Sequence, residues 1–129
     1  MNKIIVEISI GELLDKISIL EIKKDKIKDP DKLKFISKEH SILKNQLENN
    51  IKTDDKLNEL FQSLKEVNNK LWIIEDNKRL CEKNKDFGDN FIKLSRDVHF
   101  LNDDRAKIKL KINNHTGSKI KEIKEYTSY

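Results

Sequence analysis

A chain of 129 residues with 39% charged and 36% apolar side chains has room for one modest core. Three glycines and one proline are lean for a compact α/β fold but suit long amphipathic helices with a wide solvated face. No run of about 18 apolar residues exists to span a bilayer as a helix, and a single cysteine, Cys81, excludes an intrachain disulfide and fits a reducing cytoplasm.

The chain opens on Met-Asn-Lys-Ile-Ile-Val-Glu-Ile, whose apolar run is too short for a signal peptide. Ile4, Val6 and Ile8 alternate, as in one short strand or an extended arm over residues 1–8. A lone strand cannot pair with itself, so it must pack on helices or meet another chain. Ser9-Ile10-Gly11-Glu12 then reads as a capping box, Ser9 and Glu12 satisfying free amides reciprocally.

Helix one is expected over about 10–28, with Ile10, Leu13, Ile17, Leu20 and Ile27 on one face. Ile19 and Ile22 lie elsewhere on the cylinder, which marks this helix as central. Asp29-Pro30 opens helix two, an N-cap followed by a proline at the first helical position. Leu33, Ile36, His40, Leu43 and Leu47 carry it to Asn49-Asn50.

Thr53-Asp54-Asp55 opens helix three, whose stripe runs through Leu57, Leu60, Leu64, Val67, Leu71, Ile74, Lys78 and Cys81. After a break at 84–89, helix four repeats the spacing with Phe87, Phe91, Leu94, Val98, Leu101, Arg105, Ile108 and Ile112. It stops near Gly117. Residues 118–129 form a basic tail that could add a turn or two of helix. The expected fold is all-α: one domain over 1–129, either an antiparallel four-helix bundle or elongated helical hairpins.

The segments from Ile8 to Lys23 (ISIGELLDKISILEIK), Leu71 to Asp76 (LWIIED) and Asn102 to Lys109 (NDDRAKIK), with the terminal Ser128-Tyr129, resemble a family of short proteins of unknown function from bacteria and their phages. The resemblance runs over most of the chain. It implies a whole-chain domain, and it carries no activity or site residues.

Only three of the 27 basic residues are arginine: Arg79, Arg96 and Arg105. A guanidinium offers a planar fork for carboxylate or phosphate and keeps its charge when buried. Arg105 stands in the core stripe between Leu101 and Ile108, so it needs a partner. Two readings stay open: a salt bridge to Glu21 or Glu75 that fixes helix register, or an anion site inside the bundle.

Helix four carries a polar line at Ser95, Asn102, Lys109 and Asn113, and helix three a matching one at Asn68, Trp72, Glu75, Arg79 and Glu82. Side by side, the two lines would form a groove in which Asn68, Trp72, Glu75, Arg79, Asn102, Arg105 and Lys109 meet a small anionic ligand, Trp72 serving as a stacking surface. A polar bundle flank would look the same.

Metal chemistry finds little support, since His40, His99 and His115 share no ligand spacing with one another or with Cys81. Glu12-Leu13-Leu14-Asp15 resembles half of the paired-carboxylate motif of all-α nucleotide pyrophosphohydrolases, but no second copy lies on a core helix and Glu12 is spoken for by the capping box. No glycine-rich phosphate loop exists, and no cofactor is implied. Residues 105–124 carry seven lysines and arginines against Glu122, a surplus of six in a chain of net charge +4. Few arginines, few aromatics and interspersed acids weigh against nucleic acid all the same.

Three functions remain: a binding protein for a small anionic ligand (nucleotide, sugar phosphate or carboxylate), an adaptor engaging another chain, or an all-α enzyme. A homo-oligomer, most simply a dimer, is expected from the arm and from the wide apolar surface of helix one.

Overall fold

The computed structural model describes residues 2–129 and forms four helices: α1 (Ile10–Lys26), α2 (Pro30–Asn50), α3 (Asp55–Lys83) and α4 (Asp89–Thr116). It is a helical bundle, and no strand forms among the described residues. Three of the four starts carry a side-chain cap, and α4 begins at Gly88 without one. The Ser9 hydroxyl accepts from the Glu12 amide at 3.0 Å, Asp29 from the Asp31 amide at 2.9 Å, and Asp54 from the Leu57 amide at 2.7 Å. Gly117, at φ +66°, closes α4 in the left-handed conformation that a glycine reaches without penalty.

Several expectations need correction. Of the strand or arm expected at the N-terminus, the strand does not form: residues 2–8 are neither strand nor helix. The first helix ends at Lys26, where Ile27 turns extended ahead of Pro30. Phe87 belongs to the connection, not to the stripe of α4; it is 51% exposed and meets Phe91 edge to face. The tail adds no helical turn. The capping box is half formed, since the Glu12 carboxylate turns away from Ser9 to Lys109.

The core joins Leu14 and Ile17 of α1, Leu47 of α2, Leu57, Leu60 and Leu64 of α3, and Ile112 of α4. As its apolar girth requires, α1 is central and packs on all three other helices, whereas α2 rests on α1. At 29 residues α3 is about 44 Å long, against about 26 Å for the 17 residues of α1. The lower halves of α3 and α4 therefore close on α1, and their upper halves have only each other. Ile74 and Lys78 are half-buried there although they continue the stripe of Leu57, Leu60 and Leu64, and Cys81 beyond them is buried.

The closest approach of α1 to α4 is made at Gly11. A β-carbon there would stand 2.6 Å from the Lys109 carbonyl oxygen and 2.9 Å from Asn113 Oδ1. The backbone carbonyl cannot move aside without shifting α4. Gly11→Ala is therefore expected to cost about 1–3 kcal/mol despite alanine's better helix propensity, read as a lower urea midpoint with unchanged slope.

Candidate functional site

One face of α1 carries Gly11, Asp15 and Ser18, an unusual set for a central helix, and α3 and α4 close over it. Asp15 is only 1% exposed. Its Oδ1 accepts from Arg105 Nε at 3.0 Å and from Asn68 Nδ2 at 2.8 Å, while Arg105 Nη2 grips Oδ2. The result is a two-pronged carboxylate–guanidinium pair braced by an amide. Asn68 gives its second amide hydrogen to Ser18 Oγ at 2.8 Å, and the Ser18 hydroxyl donates to the Asp15 carbonyl at 2.7 Å. No buried side-chain polar atom among the described residues lacks a partner.

Burial alone would raise the Asp15 carboxyl. The Arg105 and Asn68 hydrogen bonds and the charges of Arg105 and Lys109 overcome that and hold it below the usual carboxylate range. The same hydrogen bond to Asp15, against desolvation, raises Arg105 further above its ordinary value.

One turn along α4, Lys109 Nζ lies 2.6 Å from Glu12 Oε2, 3.7 Å from Asp15 Oδ2 and 3.5 Å from Glu122 Oε2. One turn further, Asn113 Oδ1 accepts the Gly11 amide at 2.7 Å, and Ser118 Oγ the Ile10 amide at 3.1 Å. The seam between α1 and α4 is thus polar along its length.

Arg105 does have a fixed carboxylate partner, but it is neither Glu21 nor Glu75. Glu21 faces α2 and α3, meeting Lys65 at 3.1 Å and His40 at 3.2 Å. Glu75 is exposed on the wall of a groove. The correct partner was hidden because Asp15 lies beside the apolar stripe of α1, where no solvent reaches. Its signal was the spacing of Gly11, Asp15 and Ser18, a polar face on a helix that leaves no face free.

Above this pair a groove of about 430 Å³ opens between α1, α3 and α4. Ile19, Ile22 and Leu71 give its apolar wall, and Asn68, Trp72, Glu75, Arg79, Asn102 and Arg105 its polar rim. Five residues of the two polar lines, Asn68, Trp72, Glu75, Arg79 and Asn102, thus border one space together with Arg105 of the core stripe. Lys109 does not. It lines a second hollow of about 570 Å³ between α4 and the tail, which shares Asn102 and Arg105 with the first. The tail forms that wall by laying Tyr129 against His99 and Phe100, ring centroids 5.3 Å from each, with its hydroxyl on Asp103. Arg105 stands between the two spaces. Asp15 occupies its inner edge, and its Nη1 makes no hydrogen bond among the described residues.

The model of a family of unknown function, DUF6165, matches residues 4–129, and the chain belongs to that family. No curated protein matches the chain, and no solved structure does.

Arg105→Met should leave Asp15 charged, buried and unpaired, at a cost of about 3–5 kcal/mol in denaturant unfolding. Adding Asp15→Asn should return part of that loss, and the double-mutant cycle gives the coupling. The sign with pH is fixed as well. The Asp15 carboxyl titrates lower folded than unfolded, so its contribution is full above the ordinary aspartate value, near about pH 4, and drains as pH falls through the depressed one. Wild type should therefore lose stability as pH falls below about 4, whereas Arg105→Met should lose less, protonation relieving its stranded carboxylate.

Proposed function

We propose that this member of the DUF6165 family is a binding protein that holds a small anionic ligand (a nucleotide, sugar phosphate or carboxylate) in the groove between α1, α3 and α4. One observation carries the reading: Asp15 pins the Nε–Nη2 edge of the Arg105 guanidinium, Nη1 makes no hydrogen bond among the described residues, and the side chain lines the groove. A donor already fixed by its partner loses little freedom when an anion meets its open edge. Trp72, half-buried in the wall, offers a flat ring, and Arg79 a second guanidinium on the same rim. Glu75 and Asp76 on that rim suit hydroxyl or amino groups and oppose a dense polyanion, which favours a nucleotide or sugar phosphate.

No histidine, serine or cysteine lines the groove, so a hydroxyl, thiol or imidazole nucleophile has no candidate there. A cytoplasmic place of work, in a bacterium or under one of its phages, goes with this proposal; the lone thiol of Cys81 suits a reducing compartment.

Melting shifts against a panel of nucleotides, sugar phosphates and carboxylates test the proposal. At least one class should raise the melting temperature in proportion to the logarithm of its concentration. Trp72→Ala should weaken that ligand by about 1–3 kcal/mol if it carries a base. Arg79→Gln should weaken any of the anions by about 1.5–3 kcal/mol. Both side chains lie outside the Asp15 network, so the helices should persist in far-ultraviolet dichroism, Trp72→Ala at a lower stability because it removes a half-buried ring. No shift from any class at millimolar concentration, or shifts indifferent to both substitutions, would overturn the reading.

A further inference from the structure

The arm that precedes α1 carries exposed aliphatic side chains. Ile4 is 90% exposed, Ile5 81% and Val6 69%, a run of aliphatic side chains in water. Its root is fixed, because Ser9 is buried and the Ile10 and Gly11 amides are tied to Ser118 and Asn113. Side chains alternate along an extended chain, so Lys3, Ile5 and Glu7 share one face and Ile4, Val6 and Ile8 the other.

We propose that residues 3–7 pair with the same residues of a second copy of this chain, as an antiparallel ribbon whose two-fold axis passes at Ile5. This occupant follows from charge. In that register each Lys3 stands opposite Glu7 of the second copy, Ile4 opposite Val6, and Ile5 opposite Ile5. Both Lys–Glu pairs form at once, as two-fold symmetry demands. A slip of one residue either way sets Lys3 opposite an aliphatic chain, Val6 or Ile8. A parallel pairing in register sets Lys3 on Lys3 and Glu7 on Glu7, which repel. Only one arrangement satisfies every position.

The ribbon also gives the second face a use. Ile4, Val6 and Ile8 from both copies form one aliphatic surface, and since a bare two-stranded ribbon is marginal in water, that surface closes on the bundle ends from which the arms spring. Nothing in this arrangement touches the groove, so the two proposals stand or fall separately.

The test is sedimentation equilibrium on the whole chain at tens of micromolar, with far-ultraviolet dichroism to confirm that the helices persist. Wild type should be a dimer. Lys3→Glu and Glu7→Lys each set like charges opposite one another twice, and each alone should weaken the dimer by about tenfold, the sum of cross-strand pair energies over two symmetric positions. Joining them in one chain exchanges the charges and should restore wild-type affinity. Mixing the two single variants should likewise give heterodimers. A monomeric wild type, a dimer unmoved by either reversal, or a double variant no better than the singles would each overturn the proposal.

Discussion

Asp15 carries a charge where water cannot reach it, and much of the bundle's arrangement is the set of conditions under which that is tolerable. Arg105 must reach across from α4, which sets the height of α4 against α1. Asn68 must reach from α3, which sets the third helix against both. Apolar packing alone allows helices to slide by small steps at modest cost, whereas a buried carboxylate with three directed bonds accepts one register. Gly11 belongs to the same arrangement, because α4 could not come near enough for Lys109 and Asn113 to serve α1 if a β-carbon intervened.

That register also locates the groove. Having neutralised Asp15 from one side, the Arg105 guanidinium ends at the boundary where the close packing of α1 gives way to Ile19 and Ile22 against Leu71 and Trp72. A side chain with a structural duty is thereby presented, already oriented, to a space large enough for a small molecule. Of the two readings of Arg105, the salt bridge that fixes helix register is met, with Asp15 as the partner.

Four helices, their order and most of their ends could be read from the chain because each depends on neighbours a few residues away. Asp29, Asp54 and Gly117 act within one turn, and the three-and-four spacing of Leu57, Leu60 and Leu64 identifies a face without reference to its partner. The partner of Arg105 could not be found that way. Its match lies 90 residues off, and choosing Asp15 over Glu21 and Glu75 needs the relative height of two helices. Glu12 failed for a related reason: a capping role was sufficient locally, but Lys109 at 2.6 Å makes the stronger claim once α4 is in place. The polar lines of α3 and α4 lie side by side in part, since the two helices are successive and antiparallel: Asn68, Trp72, Glu75, Arg79 and Asn102 border one groove, and Ser95, Glu82 and Asn113 do not. Lys109 fell outside the groove because its position on α4 is one turn too near the tail.

The unequal lengths of α1 and α3 give the molecule a gradient of cohesion. At one end three and four helices share buried leucines; at the other, α3 and α4 run on as a hairpin held by half-buried contacts and the T-shaped Phe87–Phe91 pair. Segments with fewer buried contacts open more often, so backbone amides near Leu80 and Ile92 are expected to exchange with solvent through local events that leave the Asp15 network shut. Trp72 and Asn102 sit on the seam between the two regimes. Anything lodged there touches the firm part and the loose part together, and acts on the hairpin as a splint.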